Sequence, residues 1–218
     1  MTETEIINMA LGRIGAKRIN DFTDTNEDNV QSVQARLHYE QTRDALLRSH
    51  WWRFARGRKA LSQDAAYTAD TTTFEWTYAY GLPNDFLREW LPPYEDNSEV
   101  LGVTRNSYSL EGKFLLSNQT TMSIRYIKKV TDVSEFDPLF VEVLVLQLAL
   151  KFVMPLSQDK VLWQALYGEL WGVAGIKGVM SRVRVMDKQE TKTLGQNDIN
   201  NWNDSRIVGA GNPLKRYS

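Results

Sequence analysis

The segment that most constrains the fold is 139–154, where Phe140, Val141, Val143, Leu144, Val145, Leu146, Leu148, Leu150 and Phe152 leave almost no polar face at helical spacing. Asp137-Pro138 ahead of it is a helix start: the carboxylate accepts from free first-turn amides, and proline suits the first position, where its missing N–H has no intrahelical partner. The run is broken by Glu142, Gln147 and Lys151 and is shorter than the roughly 20 residues a bilayer span needs. It reads as a buried core helix ended by Pro155. Such a helix must be surrounded, so the rest of the chain has to cover it.

Thr2 and Glu5 have capping-box spacing, and Ile6, Ile7, Ala10, Leu11 and Ile14 then share one broad face before Gly15 supplies a left-handed stop. Ile19 and Phe22 fall in a connector, and Asp24 or Asn26 is expected to cap the next helix. That helix, within 24–58, is expected to be the spine of the bundle. Val30, Val33 and Leu37 form one stripe that continues through Gln41, Asp44 and Arg48 to Trp51 and Trp52, while Ala35, Tyr39 and Leu46 form a second, roughly opposite. Two apolar faces predict neighbours on two sides. Asp44 and Arg48 at i,i+4 are expected to pair, and Trp51, Trp52 and Phe54 to plug the junction between bundle and sheet.

Between the helical segments the period changes. The stretch 62–73 is polar and aperiodic, an expected loop. Phe74, Trp76, Tyr78 and Tyr80 then alternate as one aromatic face of a strand, and Gly81-Leu82-Pro83-Asn84-Asp85 makes a turn. Further short strands are expected at 86–91, 100–104, 107–110, 113–116 and 122–130, with a hairpin turn at Glu111-Gly112. The composition fits a small antiparallel sheet inserted between helices.

Ser157 is expected to cap a last long helix to about Met186, with Val161, Leu162, Leu166 and Leu170 inward. Gly168, Gly172, Gly175 and Gly178 would lie along one stripe of it, each costing about 1 kcal/mol relative to alanine. They predict either a break near Gly175 or a seam where another helix or a neighbouring subunit approaches closely. From Lys188 the chain is polar and aperiodic, with Trp202, Ile207, Val208, Leu214 and Tyr217 spaced through it and Arg206, Lys215 and Arg216 beside them. A tail of that kind cannot build a core and orders, if at all, on a partner.

The fold class expected is therefore α+β: a bundle of about four helices from 1–61 and 131–187, a β-rich insert at 62–130 and an extended tail at 188–218.

The chain has no cysteine and only two histidines, His38 and His50, which removes disulfides, thiolate zinc sites and cysteine nucleophiles and leaves little for a histidine metal site or a triad. No glycine-rich phosphate loop is present, since the glycine series lacks the strand-turn-helix setting and a Lys-Ser/Thr ending. Acidic pairs such as Glu27-Asp28, Glu95-Asp96 and Asp132 with Glu135 read as turns or caps. A net charge of −1 and a pI near 6.2 give no global attraction to nucleic acid. Locally, Arg48, Arg53, Arg56, Arg58 and Lys59 interleave with Trp51, Trp52 and Phe54, which reads as an arginine rim around core aromatics or as a nucleic-acid patch. No catalytic residue, cofactor site or metal site is assigned. The N-terminus lacks the features of a signal peptide.

Along the chain stand Ile6-Ile7-Asn8-Met9-Ala10-Leu11 with Gly15-Ala16 and Ile19, then Tyr39, Arg43-Asp44 and Leu46-Leu47-Arg48 with Trp52, Phe54 and Ala55. Trp76, Tyr78 and Tyr80 follow with Leu82-Pro83 and Asp85, and after them Val130-Thr131-Asp132, Phe136-Asp137-Pro138-Leu139-Phe140 and Leu148-Ala149. Over 3–185 this succession resembles the tail tubular protein A or adaptor family of short-tailed bacteriophages, the head-to-tail connector proteins. The glycine-rich last helix departs from the family, which tends to alanine there.

The resemblance implies a structural virion protein and no enzyme, found at the head-tail junction after assembly in the host cytoplasm. It implies a twelve-membered ring beneath the portal protein. The ring would carry the tail nozzle protein and extend a channel through which double-stranded DNA passes without sequence-specific binding, with no membrane involved. The tail would dock on the portal through Trp202, Arg206, Ile207 and Val208, and the exposed aromatics of the strand region would meet the nozzle or a neighbour. The rival readings are a virion-associated cell-wall hydrolase, which needs two carboxylates flanking a sugar cleft, and a DNA-binding packaging factor using Arg53, Arg56, Arg58 and Lys59.

Overall fold

The computed structural model describes residues 1–64, 76–94, 108–173 and 175–191. The helices are α1 (Glu3–Arg13), α2 (Val30–Ser49), α3 (Pro138–Leu156), α4 (Lys160–Trp171) and α5 (Val179–Thr191). The strands are β1 (Arg56–Leu61), β2 (Tyr78–Gly81), β3 (Phe86–Tyr94), β4 (Tyr108–Glu111), β5 (Phe114–Ser117), β6 (Met122–Lys128), β7 (Gly172–Val173) and β8 (Ile176–Lys177). The architecture is α+β: α1, α2, α4 and α5 all pack on α3, and the two three-stranded antiparallel sheets fall between α2 and α3 in sequence.

α3 starts where Asp137 and Pro138 place it, the Asp137 carboxylate accepting from the Leu139 amide at 2.8 Å. Pro155 does not end it. The proline sits in the last turn, and the helix stops after Leu156, where the amides of Ser157 and Gln158 both bond the Val153 carbonyl and Gln158 takes a φ of 54°. α1 has the expected capping box, and its end is a Schellman turn: Gly15 at φ 67° lets the Gly15 and Ala16 amides reach the Gly12 and Leu11 carbonyls. Asn8 then bonds both the amide and the carbonyl of Ile19, holding the connector against α1.

α2 buries one face. Ser32, Ala35, Tyr39, Thr42, Arg43, Leu46 and Leu47 face the core, whereas Val30, Val33 and Leu37 are 58%, 40% and 53% exposed. The first half of the expected second face has no cover among the described residues, whereas further along the same stripe α2 meets β3 and the end of β6. Its cap is Asn29, accepting from the Ser32 amide, while Asp24 closes a local turn on Asn26. The Asp44–Arg48 pair does not form either. Asp44 accepts from Arg43 Nε and Lys129 Nζ, each at 2.9 Å, and Arg48 reaches across to the Leu87 carbonyl. Arg43, 2% exposed, also contacts Glu3 at 3.4 Å and lies over the Tyr39 ring, so one guanidinium ties α1 to α2.

β6 is the middle strand of the sheet β1-β6-β3, and β2-β5-β4 form a second sheet. Residues 56–61, expected in the bundle segment, therefore pair with the insert. The two sheets are stitched where the chain runs on from β1, at the Gln63–Tyr80 bridge and the Gly81-to-Ser62 and Asp64-to-Ala79 hydrogen bonds. The hairpin at Gly112 turns as the sequence suggests, with φ 58° and Glu111 opposite Phe114. Of the expected aromatic face, Phe74 lies outside the described residues and Trp76 precedes β2; Tyr80 is buried and bonds the Gln119 carbonyl, and Tyr78 is half-buried. Together with Leu115, Met122, Ile124 and Tyr126, Tyr80 makes a second, smaller core. Of the other expected strands, 100–104 lies outside the described residues.

The expected last helix is two helices joined by the β7-β8 hairpin, so the glycines do not share a stripe. α4 begins at Asp159, whose carboxylate takes the Val161 and Leu162 amides, in place of Ser157. Gly172 and Gly175 have φ of 94° and 90°. A Cβ on Gly172 would lie 2.2 Å from the Ile176 carbonyl oxygen, one on Gly178 2.3 Å from that of Leu170, and one on Gly168 2.8 Å from Val173. The close approach that the glycines permit is made by the chain's own hairpin.

Gly172→Ala should lower stability by about 2 kcal/mol or more, since strain at positive φ and a backbone clash add; equal urea midpoints for variant and parent would refute this. Tyr126 donates to Asp85 at 3.0 Å, and burial, helped by that bond, pushes its phenol up to about 12 from 10.0. The neutral ring is thus favoured in the fold: its contribution is complete below pH 10 and lost as pH rises from about 10 to about 12. Tyr126→Phe should flatten that alkaline loss in pH-resolved denaturation.

Candidate functional site

A single turn of helix, Arg53–Ala55, carries the chain from α2 into β1. His50 caps α2 with extended dihedrals, φ −143° and ψ 164°, so side chains on either side of Trp51 go inward and Trp51 goes out. Trp52 is 1% exposed, donates from Nε1 to the Leu46 carbonyl and meets Phe140 edge-on at 5.1 Å. Phe54 packs on Phe136 and Phe140. Trp52 and Phe54 form the plug; Trp51, at 44% exposure, is not part of it.

Trp51 belongs instead to an arginine and tryptophan cluster assembled from elements distant in sequence. The Arg88 guanidinium lies over Trp51 at 5.4 Å, Arg56 lies over Trp90 at 4.3 Å, and Arg56 Nη2 donates to the Trp51 carbonyl. Arg58 stands directly across from Arg125 on β6. Burial pushes the Arg56 guanidinium below its usual value, with Asp187 opposing and Arg53 adding; burial and then Arg48 do the same to Arg88. Both remain cations near neutral pH. The run Arg48 to Lys59 signalled part of this cluster. Arg88, Trp90 and Arg125 were missed, although their alternation along β3 and β6 is the signal that could have found them.

Next to the cluster, Asp187 of α5 accepts at 2.9 Å from His50 Nε2 and at 3.3 Å from the Arg53 amide. His50 is thus a buried clasp to α5, a role its sequence position did not suggest.

A separate groove of about 520 Å³ runs between α2, α3 and α4. Its walls include His38, Thr42, Gln147, Lys151, Trp163 and Tyr167, the last two rings stacked at 5.1 Å, and no carboxylate among the described residues lines it. Burial, then Lys151, pushes the His38 imidazole below its usual value. Among the described residues no cluster of three or more His, Asp and Glu could hold a metal ion. Trp202, Arg206, Ile207 and Val208 lie outside the described residues.

No family model matches the chain, and no curated protein matches it.

Asp187→Ala should cost about 1–3 kcal/mol, because it removes the carboxylate that accepts from the buried His50 ring and from the Arg53 amide. Hydrogen exchange should quicken in α5 before it does in α3; uniform exchange across both helices would count against the clasp.

Proposed function

We propose that the protein is a structural virion component, a ring-forming adaptor of a short-tailed bacteriophage that joins the portal to the tail nozzle and extends the DNA channel. The observation that carries this reading is the ordered succession of family-like pieces along 3–185, and the structural work those pieces do supports it. Ile6, Ile7, Ala10 and Leu11 are buried in α1, Gly15 makes the left-handed turn, and Ile19 is clamped by Asn8. Arg43 and Asp44 form the ion network, Trp52 and Phe54 the plug, Asp85 the bond to Tyr126, and Asp137-Pro138 the start of α3. Many of the residues that carry the resemblance thus build the fold, which supports the reading.

A ring subunit needs large apolar contact surfaces. Val30, Val33 and Leu37 on α2, Val161, Tyr167 and Trp171 on α4, and Val173 and Ile176 at the hairpin tip are exposed apolar side chains that suit this need. The near-neutral net charge suits a channel through which DNA slides without sticking.

The test is to mix purified protein with portal and examine the product by native mass measurement and particle imaging: a closed ring on the portal is expected. Protein ending before Gln196 should keep its circular dichroism and lose portal binding. Normal assembly of that truncated chain would remove the docking role of Trp202, Arg206, Ile207 and Val208, and absence of any ring with the intact chain would overturn the adaptor reading.

A further inference from the structure

The sheet β1-β6-β3 has two edges, and they are built differently. On β3, Pro92 and Pro93 donate no ladder hydrogen bond, and pairing with β6 shifts register between Phe86 and Arg88, Glu89 and Leu91, and Leu91 and Tyr94. Such an edge resists another strand. β1 pairs with β6 residue for residue from Arg56↔Ile127 to Leu61↔Met122, with neither bulge nor proline. Among the described residues the backbone of 57–61 makes no hydrogen bond away from β6, and β2 joins only beyond it, at Ser62 and Asp64. In an antiparallel ladder every second residue turns its N–H and C=O away from the partner strand. Within 57–61 the edge therefore presents, among the described residues, donors and acceptors that no neighbouring strand takes.

Its side chains say what would fit. The pleat puts Arg56, Arg58 and Ala60 on one face and Gly57, Lys59 and Leu61 on the other. Arg58, Lys59 and Ala60 are exposed, and Arg125 extends the cationic row behind Arg58. A strand laid beside β1 would meet positive charge on both faces, in a chain whose overall charge is −1. Nucleic acid is a poorer match, because one face of each indole that would stack on bases is taken: Arg88 covers Trp51 and Arg56 covers Trp90. A row of free amides and carbonyls, moreover, is complementary to a peptide backbone.

We infer that the edge of β1 at 57–61 is the docking site for an extended acidic segment of a partner protein, added as a strand beside it with Asp or Glu next to Arg58 and Lys59. This goes beyond the adaptor reading and does not rest on it.

The test uses the full chain and a fluorescent peptide of alternating Glu and Thr. Comparison probes are the same peptide with Lys for Glu, the Glu peptide N-methylated at alternate amides, and a short DNA duplex. The Glu peptide should bind and slow amide exchange at 57–61, while the Lys and N-methylated peptides should not bind. R58E/K59E, two changes at exposed positions checked by circular dichroism, should weaken Glu-peptide binding about tenfold or more and admit the Lys peptide. Failure of the Glu peptide to bind would overturn the inference and leave the charges as protection of the edge. Equal binding of the N-methylated peptide would overturn strand addition, and tighter binding of the duplex, lost in R58E/K59E, would make this a polyanion surface instead.

Discussion

The structure depends on hiding α3. Its mean hydropathy of 2.0 over a helix of 19 residues would let it cross a membrane by length and composition. Here four helices lie against it and leave Phe140, Val143, Leu144, Leu146, Leu148 and Phe152 without contact with solvent. Burial of apolar area is non-directional, so it explains why the helices gather and not how they are oriented. Orientation comes from the aromatic cluster at the start of α3, where Phe140 meets Trp52, Phe54 and Phe136 at ring distances of 5.0–5.1 Å with steep interplanar angles.

Polar contacts then fix how sheet and bundle meet. Lys129, just past β6, bonds Asp44; Arg48 bonds the carbonyl of Leu87 in β3; and Ile127 of β6 belongs to the bundle core while Ile124 belongs to the smaller one. Burying a cation such as Arg43 removes charge from water at a cost, so its ion contacts offset that cost before they can add stability.

What was legible in the sequence was local. The start of α3, the capping box of α1, the turn at Gly15 and the Gly112 hairpin each follow from a few neighbouring residues whose dihedral or hydrogen-bonding needs admit few answers. What was not legible depended on partners far along the chain. Both stripes of α2 look apolar, and only the presence of α3 on one side decides that Tyr39 is buried and Leu37 is not. The glycines of 168–178 carry the same helical spacing whether the chain continues or folds back. Of the candidate surfaces, Arg53 to Lys59 could be seen as basic, but its strand geometry and its partners Arg88, Trp90 and Arg125 arise from pairing across β6.

β6 is also the mechanical link of the molecule. Its two neighbours in the sheet, β1 and β3, both run antiparallel to it, and its last residues enter the bundle core. A pull on β1 directed along the strands would load the whole ladder from Arg56 to Leu61 at once, in shear. The same pull directed across them would open the pairs one after another, as a zipper does, at much lower force. The sheet is therefore stiff along β6 and compliant at right angles to it, and the direction of a load decides whether it reaches α3 or is absorbed at the edge.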